Sequence, residues 1–326
     1  MMSRVKKIVK KRQKVVVIGG GNGSAVTLVS LKQNLDLFDI SAVISMSDSG
    51  GSSGRLRKEL GTLPPGDIMR AVLALSKYDY PMLRQIFYQP RFTCEGKLRG
   101  HNLGNLFLTL IAKYCGSFTK ALDALSQSVE AVGRVYPVTV RPVDLAAELV
   151  NGEIVRTEAF IDEPKYNHGS KIKNIWLEPR CSINPEAAKA IKSADYIILS
   201  PGSLYTSIIA TLLPNGTREA IKKSKAKIIY VAGNAYRLDG ETGPERLSDF
   251  VWQLEQYLPR HISTIIHNSH IPKGKEKKFY RERKWGIFDF DKKYMKGRHI
   301  VSLDLERSGG GLCAIKLARV FKNLIQ

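Results

Sequence analysis

A short apolar run that ends in glycines limits the fold more than any other feature of this sequence. Residues 14–18 read KVVVI and lead directly into the segment GGGNG at 19–23. An unbroken β-branched run of this kind is typical of a parallel strand buried on both faces. A helical pattern follows over about 24–34. Glycines let a backbone approach a phosphate closely, and a following helix offers free N–H groups, so this unit predicts a phosphate-type turn.

The same alternation of strand and helix recurs along the chain, and it predicts a doubly wound, Rossmann-like parallel sheet. Further strands are predicted over 40–46, 196–199, 227–231, 262–267 and 299–303. Helical patterns cover 67–127 with two breaks, 185–192, 206–223, 248–257 and 313–324. The segment 47–66 is predicted to be a long polar loop. A strand-rich patch over 134–177 contains the hairpin signal Asn151-Gly152 and predicts a small antiparallel β addition.

Composition supports one globular unit. Of the 326 residues, 43% are hydrophobic and 25% are charged, which is ordinary for a protein with a buried core. We expect a single α/β nucleotide-binding domain over 14–326, preceded by a disordered basic arm over 1–13. No apolar run reaches the ~20 residues of a membrane span. The four cysteines have no C-x-x-C spacing, which argues against a disulfide framework or a zinc site, and we expect a cytoplasmic protein.

The net charge of +21 is concentrated in two places. Residues 1–14 contain seven Lys/Arg and no acid, and residues 273–298 contain eleven Lys/Arg against four acids. We expect a solvated arm and a solvated inserted loop. Weak binding of an anionic partner, such as nucleic acid or an anionic membrane surface, stays open because aromatic residues interleave with the second run.

Ligands of open α/β sheets bind beyond the carboxyl ends of the strands, so the loops that follow strands are the candidate sites. The first loop lacks the Gly-Lys-Ser/Thr ending of a P-loop, and Ser24 stands where the dinucleotide fingerprint has Gly or Ala. A nicotinamide dehydrogenase is therefore disfavoured. Small residues and arginines at 47–57 predict an anion nest. The candidate ligand contacts are Gly20, Gly21, Asn22, Gly23, Asp48, Ser49, Gly50, Gly51, Ser52, Ser53, Arg55, His101, Asn102, Asn105, Pro201, Gly202, Ser203, Tyr205, Thr206 and Asn234.

Two acids and a histidine have more than one interpretation. Asp48 follows a strand, where it suits a ribose, a metal or a nucleophile, or else an Asx turn. Asp67 suits either a helix cap or a ligand or metal role. His101 suits an acid, a base or a phosphate contact, or a structural turn. If the protein is an enzyme, Asp48 and Asp67 are the candidate catalytic residues. His267 and His270 are not expected to bind metal, and no metal site is assigned.

Four ordered motifs together resemble the gluconeogenesis factor family, which is grouped with the 2-phospho-L-lactate transferase-like (UPF0052-type) proteins. They are GGGNG at 19–23, SDSGGSSGRLRKELGTLPPGD at 47–67, GHNLGN at 100–105 and SPGSLYTSI at 200–208. The resemblance extends from about residue 14 to 270 and implies a Rossmann-like fold. It also implies a nucleotide-diphosphate ligand, in this branch a UDP-sugar such as UDP-N-acetylglucosamine, and a role in carbon metabolism and cell shape.

The resemblance assigns roles to the loops. Residues 20–23 and 201–203 would hold the diphosphate, Arg55 and the nearby serines would fix ribose or phosphate, and Asn234 would contact the base or sugar. The transferase branch instead moves a phospholactyl group from a guanosine diphosphate adduct to a deazaflavin alcohol with magnesium. In that alternative Asp48 and Asp67 would hold Mg²⁺. The sequence departs from the regulatory branch at Asn22 and over 233–239. A homo-oligomer stays open.

Overall fold

The computed structural model describes residues 11–89, 91–93, 95–167 and 169–325. The strands in chain order are β1 (Gln13–Gly19), β2 (Phe38–Ile44), β3 (Arg134–Pro137), β4 (Asp144–Leu149), β5 (Ile154–Arg156), β6 (Ile172–Glu178), β7 (Tyr196–Leu199), β8 (Lys227–Ala232), β9 (Ala235–Arg237), β10 (Thr264–Asn268), β11 (Trp285–Ile287) and β12 (His299–Leu303).

The α-helices are α1 (Gly21–Lys32), α2 (Gly51–Leu60), α3 (Gly66–Leu75), α4 (Tyr80–Phe87), α5 (Leu103–Cys115), α6 (Phe118–Ser128), α7 (Glu158–Asp162), α8 (Pro185–Lys192), α9 (Ala210–Leu212), α10 (Thr217–Lys223), α11 (Leu247–Gln256), α12 (Lys275–Glu282) and α13 (Ala314–Leu324). A π-helix (Leu204–Ile209) leads into α9, and a 3₁₀-helix (Lys292–Tyr294) precedes β12.

Seven strands form one parallel sheet in the order β12-β10-β8-β7-β1-β2-β3, so the predicted doubly wound sheet is confirmed. β1 lies between β2 and β7, and its residues 15–18 are fully or almost fully buried. The chain leaves β1 toward β2 on one side and later returns to β7 on the other. The order of the strands therefore reverses between β1 and β7, which is where open α/β sheets form a ligand crevice.

Backbones approach very closely at this reversal. A Cβ added to Gly23 would lie 1.7 Å from the carbonyl oxygen of Pro201, and one added to Gly19 would lie 2.1 Å from Ser200 Oγ. Gly19 and Gly23 are therefore required, because the loop after β7 leaves no room for a Cβ at either residue. α1 also packs against α3 and α13, so this contact is linked to the helical layer.

The predicted antiparallel addition is confirmed as the three-stranded sheet β5-β4-β6, but its predicted start is wrong. The β4–β5 hairpin turns at Asn151-Gly152, where Gly152 has φ 86° and Asn151 Oδ1 accepts the Glu153 N–H at 3.1 Å. Strand β3, which begins the strand-rich patch, instead pairs parallel to β2 at the edge of the main sheet. Strand spacing alone does not specify which sheet a strand joins.

The prediction of a polar loop over 47–66 is also wrong, because α2 occupies its middle. This helix buries Ser52, Ser53 and Leu56 on one face, and it ends at Gly61 with φ 63° in the left-handed region. Its content of Gly and Ser is typical of a loop, which is why the sequence did not indicate a helix. These residues are selected by crowding, since a Cβ on Gly54 would lie 1.9 Å from the Ser49 carbonyl oxygen.

The basic segment 273–298 has regular structure. It contains α12 and β11, and β11 pairs antiparallel with β9. Tyr280, Phe288 and Met295 of this segment are buried, so its interleaved aromatic residues serve packing. The basic arm over 1–13 lies outside the described residues up to residue 10, and Gln13 already belongs to β1. Among the described residues, no helix is long and apolar enough to cross a membrane.

Gly23→Ala should destabilise the fold, because its new methyl group would overlap the Pro201 carbonyl. We expect a loss of about 1–3 kcal/mol in the free energy of unfolding, measured by urea denaturation. Gly233→Ala is the matched control, since the nearest contact of its Cβ would be the Ala235 carbonyl oxygen at 3.8 Å. Equal stability of the two variants would show that the β1–β7 contact is not tight.

Candidate functional site

Two adjoining cavities lie at the strand-order reversal. Their volumes are about 360 Å³ and 340 Å³, and both are lined by Pro201, Gly202, Gly233, Ala235 and Trp285. These shared residues come from the loops after β7 and β8 and from the paired strands β9 and β11. The wall between the cavities is therefore built at the carboxyl ends of the central strands, where the sequence predicted a ligand.

The smaller cavity, here called the arginine cavity, combines a helix start with two guanidinium groups. Asn22 and Gly23 contribute the first turn of α1, whose N–H groups have no acceptor within the helix. Arg84 and Arg307 line the same space. The Arg84 guanidinium lies 5.8 Å from the Tyr80 ring centre, and its buried Nε has no hydrogen-bond partner within the described chain. The arrangement suits a phosphate group.

The larger cavity, here called the aromatic cavity, is lined by several rings. Tyr236 and Phe288 have ring centres 5.2 Å apart, and Phe250 meets Phe288 edge to face at 5.4 Å. Glu241 and Glu245 add carboxylates to the same wall. Flat aromatic surface with a few polar groups suits a planar base or a sugar ring.

Several backbone N–H groups of the predicted phosphate loops already donate to internal carboxylates. Gly21 donates to Asp67 Oδ2 at 2.8 Å. Tyr205 and Thr206 both donate to Glu241 Oε2 at 3.0 Å. Asp67 belongs to the first turn of α3, but it caps α1, because it accepts the N–H of Gly21 and none of its own helix. These carboxylates occupy the helix-start positions that a ligand phosphate would use.

The loop after β2 is closed in the same way. Gly50 donates its N–H to Asp48 Oδ1 at 2.9 Å, which is an Asx turn, and Ser49 donates to Glu158 Oε2 at 3.1 Å. Ser53 also donates to Asp48. Gly51, with φ 46°, begins α2. The predicted anion nest is thus filled by the protein's own acids.

Close packing of these acids changes their protonation. Burial, and then the charge of Asp67, raises the pKa of Asp48. Burial, and then the charge of Asp48, raises the pKa of Glu158 to about 8. Burial, followed by the charge of Asp162, raises the pKa of Glu241 to about 8. Arg70 pairs with Asp67 at 2.9 Å and offsets part of this repulsion. Within the described chain, no cluster of three or more His, Cys, Asp or Glu is arranged to hold a metal ion.

A buried polar network joins α2 to the start of α5, and none of its members lines either cavity. Ser52 Oγ lies 2.8 Å from His101 Nδ1 and accepts from Asn105 Nδ2 at 2.9 Å. Asn102 Oδ1 caps α5 by accepting the Asn105 N–H at 2.8 Å. Burial, and then the charge of Arg55, lowers the pKa of His101, which favours its neutral form. These residues position the loop that carries Asp48.

Three other predicted contacts have internal partners. Arg55 is exposed and donates to the Arg99 carbonyl at 2.5 Å. Ser203 Oγ donates to Asp162 Oδ1 at 3.0 Å and also lines the aromatic cavity. Asn234 lines the arginine cavity, but its Nδ2 donates to the His270 carbonyl at 3.0 Å and to Tyr280 Oη at 2.9 Å.

The structure therefore brings six predicted contacts to the cavity walls: Asn22, Gly23, Pro201, Gly202, Ser203 and Asn234. Sequence reasoning missed Arg84, Arg307, Tyr236 and Trp285. Trp285 was noted only as an aromatic residue within the basic run. The glycines at 309–311 after Arg307 were a usable signal, because a glycine run beyond a strand marks another loop at the same sheet edge.

Sheet, loops and cavities define a Rossmann-like α/β protein with a crevice where the strand order reverses. A family model described as 2-phospho-L-lactate transferase CofD matches residues 15–305. The chain belongs to the CofD family.

Within that family the similar proteins bear a different name. A "Putative gluconeogenesis factor" of Thermotoga maritima is 42% identical over 278 residues, which cover 85% of this chain and 86% of that protein. The "Gluconeogenesis factor" of Bacillus subtilis is 38% identical over 284 residues, covering 86% of each chain. The crystal structure of protein BH3568 from Bacillus halodurans matches with TM-score 0.87 and 34% identity, over 96% of this chain and 100% of that one.

Stability should fall as pH rises through the range set by Glu241. Its pKa is raised to about 8 in the folded protein from an ordinary value of 4.5, so the folded state holds the proton more tightly. The free energy of unfolding should therefore decrease between about pH 4.5 and pH 8. Glu241→Gln should make this decrease smaller by at least about 1.4 kcal/mol, the equivalent of one pKa unit.

The measurement is urea denaturation at a series of pH values. Glu245→Gln, which removes a carboxylate from the same cavity wall, controls for the loss of one negative charge. An unchanged pH slope in Glu241→Gln would show that Glu241 ionises normally in the folded protein.

Proposed function

We propose that this protein is a regulator that binds a nucleotide-diphosphate sugar of the UDP-N-acetylglucosamine type without turning it over. The observation that carries the proposal is the pair of adjoining cavities, one with two arginines beside a helix start and one lined by aromatic rings. A diphosphate linked to a ring matches this pairing of charge and flat surface. The role in carbon metabolism and cell shape follows the resemblance to gluconeogenesis factors.

The phosphates would occupy the arginine cavity. There the first turn of α1 offers N–H groups at Asn22 and Gly23, and Arg84 and Arg307 supply charged donors. A charge-assisted hydrogen bond of this kind contributes about 1.5–3 kcal/mol. The Arg84 side chain supports this placement, because it lines the cavity and its Nε has no acceptor within the described chain.

The base or sugar would occupy the aromatic cavity. Tyr236 and Trp285 lie on its wall, and Trp285 also borders the arginine cavity, so one ligand can contact both spaces. This assignment differs from the sequence-based expectation, in which residues 201–203 helped to hold the diphosphate, Arg55 fixed ribose or phosphate, and Tyr205 and Thr206 were further ligand contacts. Those donors have internal acceptors, so they are secondary candidates.

Affinity should depend on Arg84. Arg84→Ala should weaken binding of UDP-N-acetylglucosamine by about 10- to 150-fold, which corresponds to about 1.5–3 kcal/mol, as measured by isothermal titration calorimetry. Arg91→Ala is the matched control. Like Arg84, Arg91 lies over the Tyr88 ring, in its case at 5.9 Å, but it lines neither cavity. Binding of no UDP- or GDP-linked ligand by the wild-type protein would reject the proposal. Unchanged affinity in Arg84→Ala together with a loss in Arg55→Ala would restore the phosphate site predicted from sequence.

A transferase of the 2-phospho-L-lactate type is the second candidate function, and the packing of Asp48, Asp67 and Glu158 favours it. Burial, and then repulsion from a neighbouring carboxylate, raises the pKa of Asp48 and of Glu158, and a divalent cation would relieve that repulsion. Carboxylate oxygens are the ligands that Mg²⁺ prefers, so Asp48 and Asp67 fit the ion by donor type.

The two candidate functions differ in turnover. An enzyme should consume a GDP-linked phospholactyl substrate only when Mg²⁺ is present, and Asp48→Asn should abolish that activity, as followed by phosphorus NMR. Asp123→Asn, which removes an exposed acid of α6 that lines neither cavity, should leave the rate unchanged. Consumption that continues in Asp48→Asn would exclude Asp48 as a metal ligand. No consumption under any condition would reject the transferase and keep the regulator as the proposed function.

A further inference from the structure

Strand β12 forms an outer edge of the main sheet with little to prevent further pairing. Its sequence HIVSL contains no Pro and no Lys, and in the part of the chain that the structure describes only β10 pairs with it. The opposite edge strand, β3, begins with Arg134 and ends with Pro137. Natural sheets block edges with proline and charge, so the two edges differ in a way that matters for association.

The backbone N–H and C=O groups of successive β12 residues point alternately toward β10 and away from it. His299 donates its N–H to Ser263, and the Leu303 carbonyl accepts from Ser269, so these odd-numbered residues use their backbone groups toward the rest of the sheet. In a parallel ladder the intervening residues point the other way. The N–H and C=O groups of Ile300 and Ser302 therefore face outward from the sheet.

A groove of about 550 Å³ runs between this edge and α13. Val301, Leu303 and Val320 give it an apolar floor, and Asp304, Lys316 and Arg319 give it charge. The Leu303 side chain is 49% exposed. Apolar surface beside unpaired backbone groups is typical of an edge that receives another strand.

We propose that two copies of this chain pair through β12, antiparallel about a two-fold axis at Val301, to form one continuous fourteen-stranded sheet. Antiparallel pairing requires outward-facing residues to oppose each other, so the axis must pass through a residue and not between two. With the axis at Val301 all five residues of β12 are paired. Ile300 then faces Ser302 of the partner subunit, and each such pair exchanges two backbone hydrogen bonds.

Charge favours a second copy over an unrelated strand. One step beyond β12, this register places Arg298 opposite Asp304 of the partner subunit, and symmetry repeats the pair. Arg298 now pairs with Glu255 at 2.7 Å, and Asp304 pairs with Lys316 at 3.2 Å. Both side chains can form a further hydrogen bond, since a guanidinium has five donors and a carboxylate has about four acceptor sites. An isologous interface is self-complementary in this way.

Light scattering coupled to gel filtration of the full chain should give twice the subunit mass of 36.4 kDa. Ser302→Pro should give 36.4 kDa, because it removes an outward N–H and leaves the backbone hydrogen bonds between β12 and β10 intact, although the contact of Ser302 Oγ with His267 Nδ1 is lost. Leu303→Lys should do the same by placing a charge at the edge. Ile315→Lys, at an exposed apolar residue of α13 outside the groove lining, should remain dimeric. A monomeric wild-type protein, or a dimer that persists in both edge variants, would overturn the proposal.

A cysteine on the axis tests the register directly. In a Cys115→Ser background, which removes an exposed thiol, Val301→Cys should form an intersubunit disulfide on mild oxidation. Opposed residues of a non-hydrogen-bonded pair have Cα atoms about 4.5 Å apart, within the range of a disulfide. Leu303→Cys should not cross-link, because it faces His299 of the partner subunit. Cross-linking through Ile300→Cys and not Val301→Cys would overturn this register.

Discussion

The close approach of the Gly23 backbone to the Pro201 carbonyl is the contact on which the rest of this structure depends. It joins the loop after β1 to the loop after β7 at the point where the strand order reverses. Any side chain at residue 23 would separate the two strand ends. Because both cavities are lined by Pro201 and Gly202, the crevice exists only while these two backbones stay in contact.

Internal carboxylates stabilise the glycine-rich loops at the strand ends. Asp67, Asp48 and Glu241 each accept backbone N–H groups that the loops expose. Negative charge at a helix start is favourable, so the acids stabilise the loops. The cost is the burial of charge, and it appears as raised pKa values at Asp48 and Glu241. The same acids occupy N–H groups that a phosphate could otherwise use. Arg84 and Arg307 offer their donors on the wall of the arginine cavity instead.

The basic segment contributes to the site as well as to the surface. β11 pairs with β9, and Trp285 from this hairpin forms part of the wall between the cavities. Tyr280 Oη donates to Glu306 at 2.8 Å and accepts from Asn234, so α12 is tied to the ends of β8 and β12. The lysines of the segment are exposed, while Trp285 and Phe288 form part of the cavity wall.

The sequence by itself determined the alternation of strands and helices, the turn at Asn151-Gly152 and the presence of glycine-rich loops at strand ends. These features depend on spacing between near neighbours and on glycine's backbone freedom, both of which are visible in a short window of sequence. Only the tertiary structure decided that β3 joins the main sheet, that residues 51–60 form a helix, and that Arg84 and Arg307 line one cavity beside α1. It also decided that Arg55 and Thr206 have partners inside the protein. Those outcomes depend on packing between residues far apart in the chain, and no local pattern records which distant group will satisfy a given donor or cover a given face.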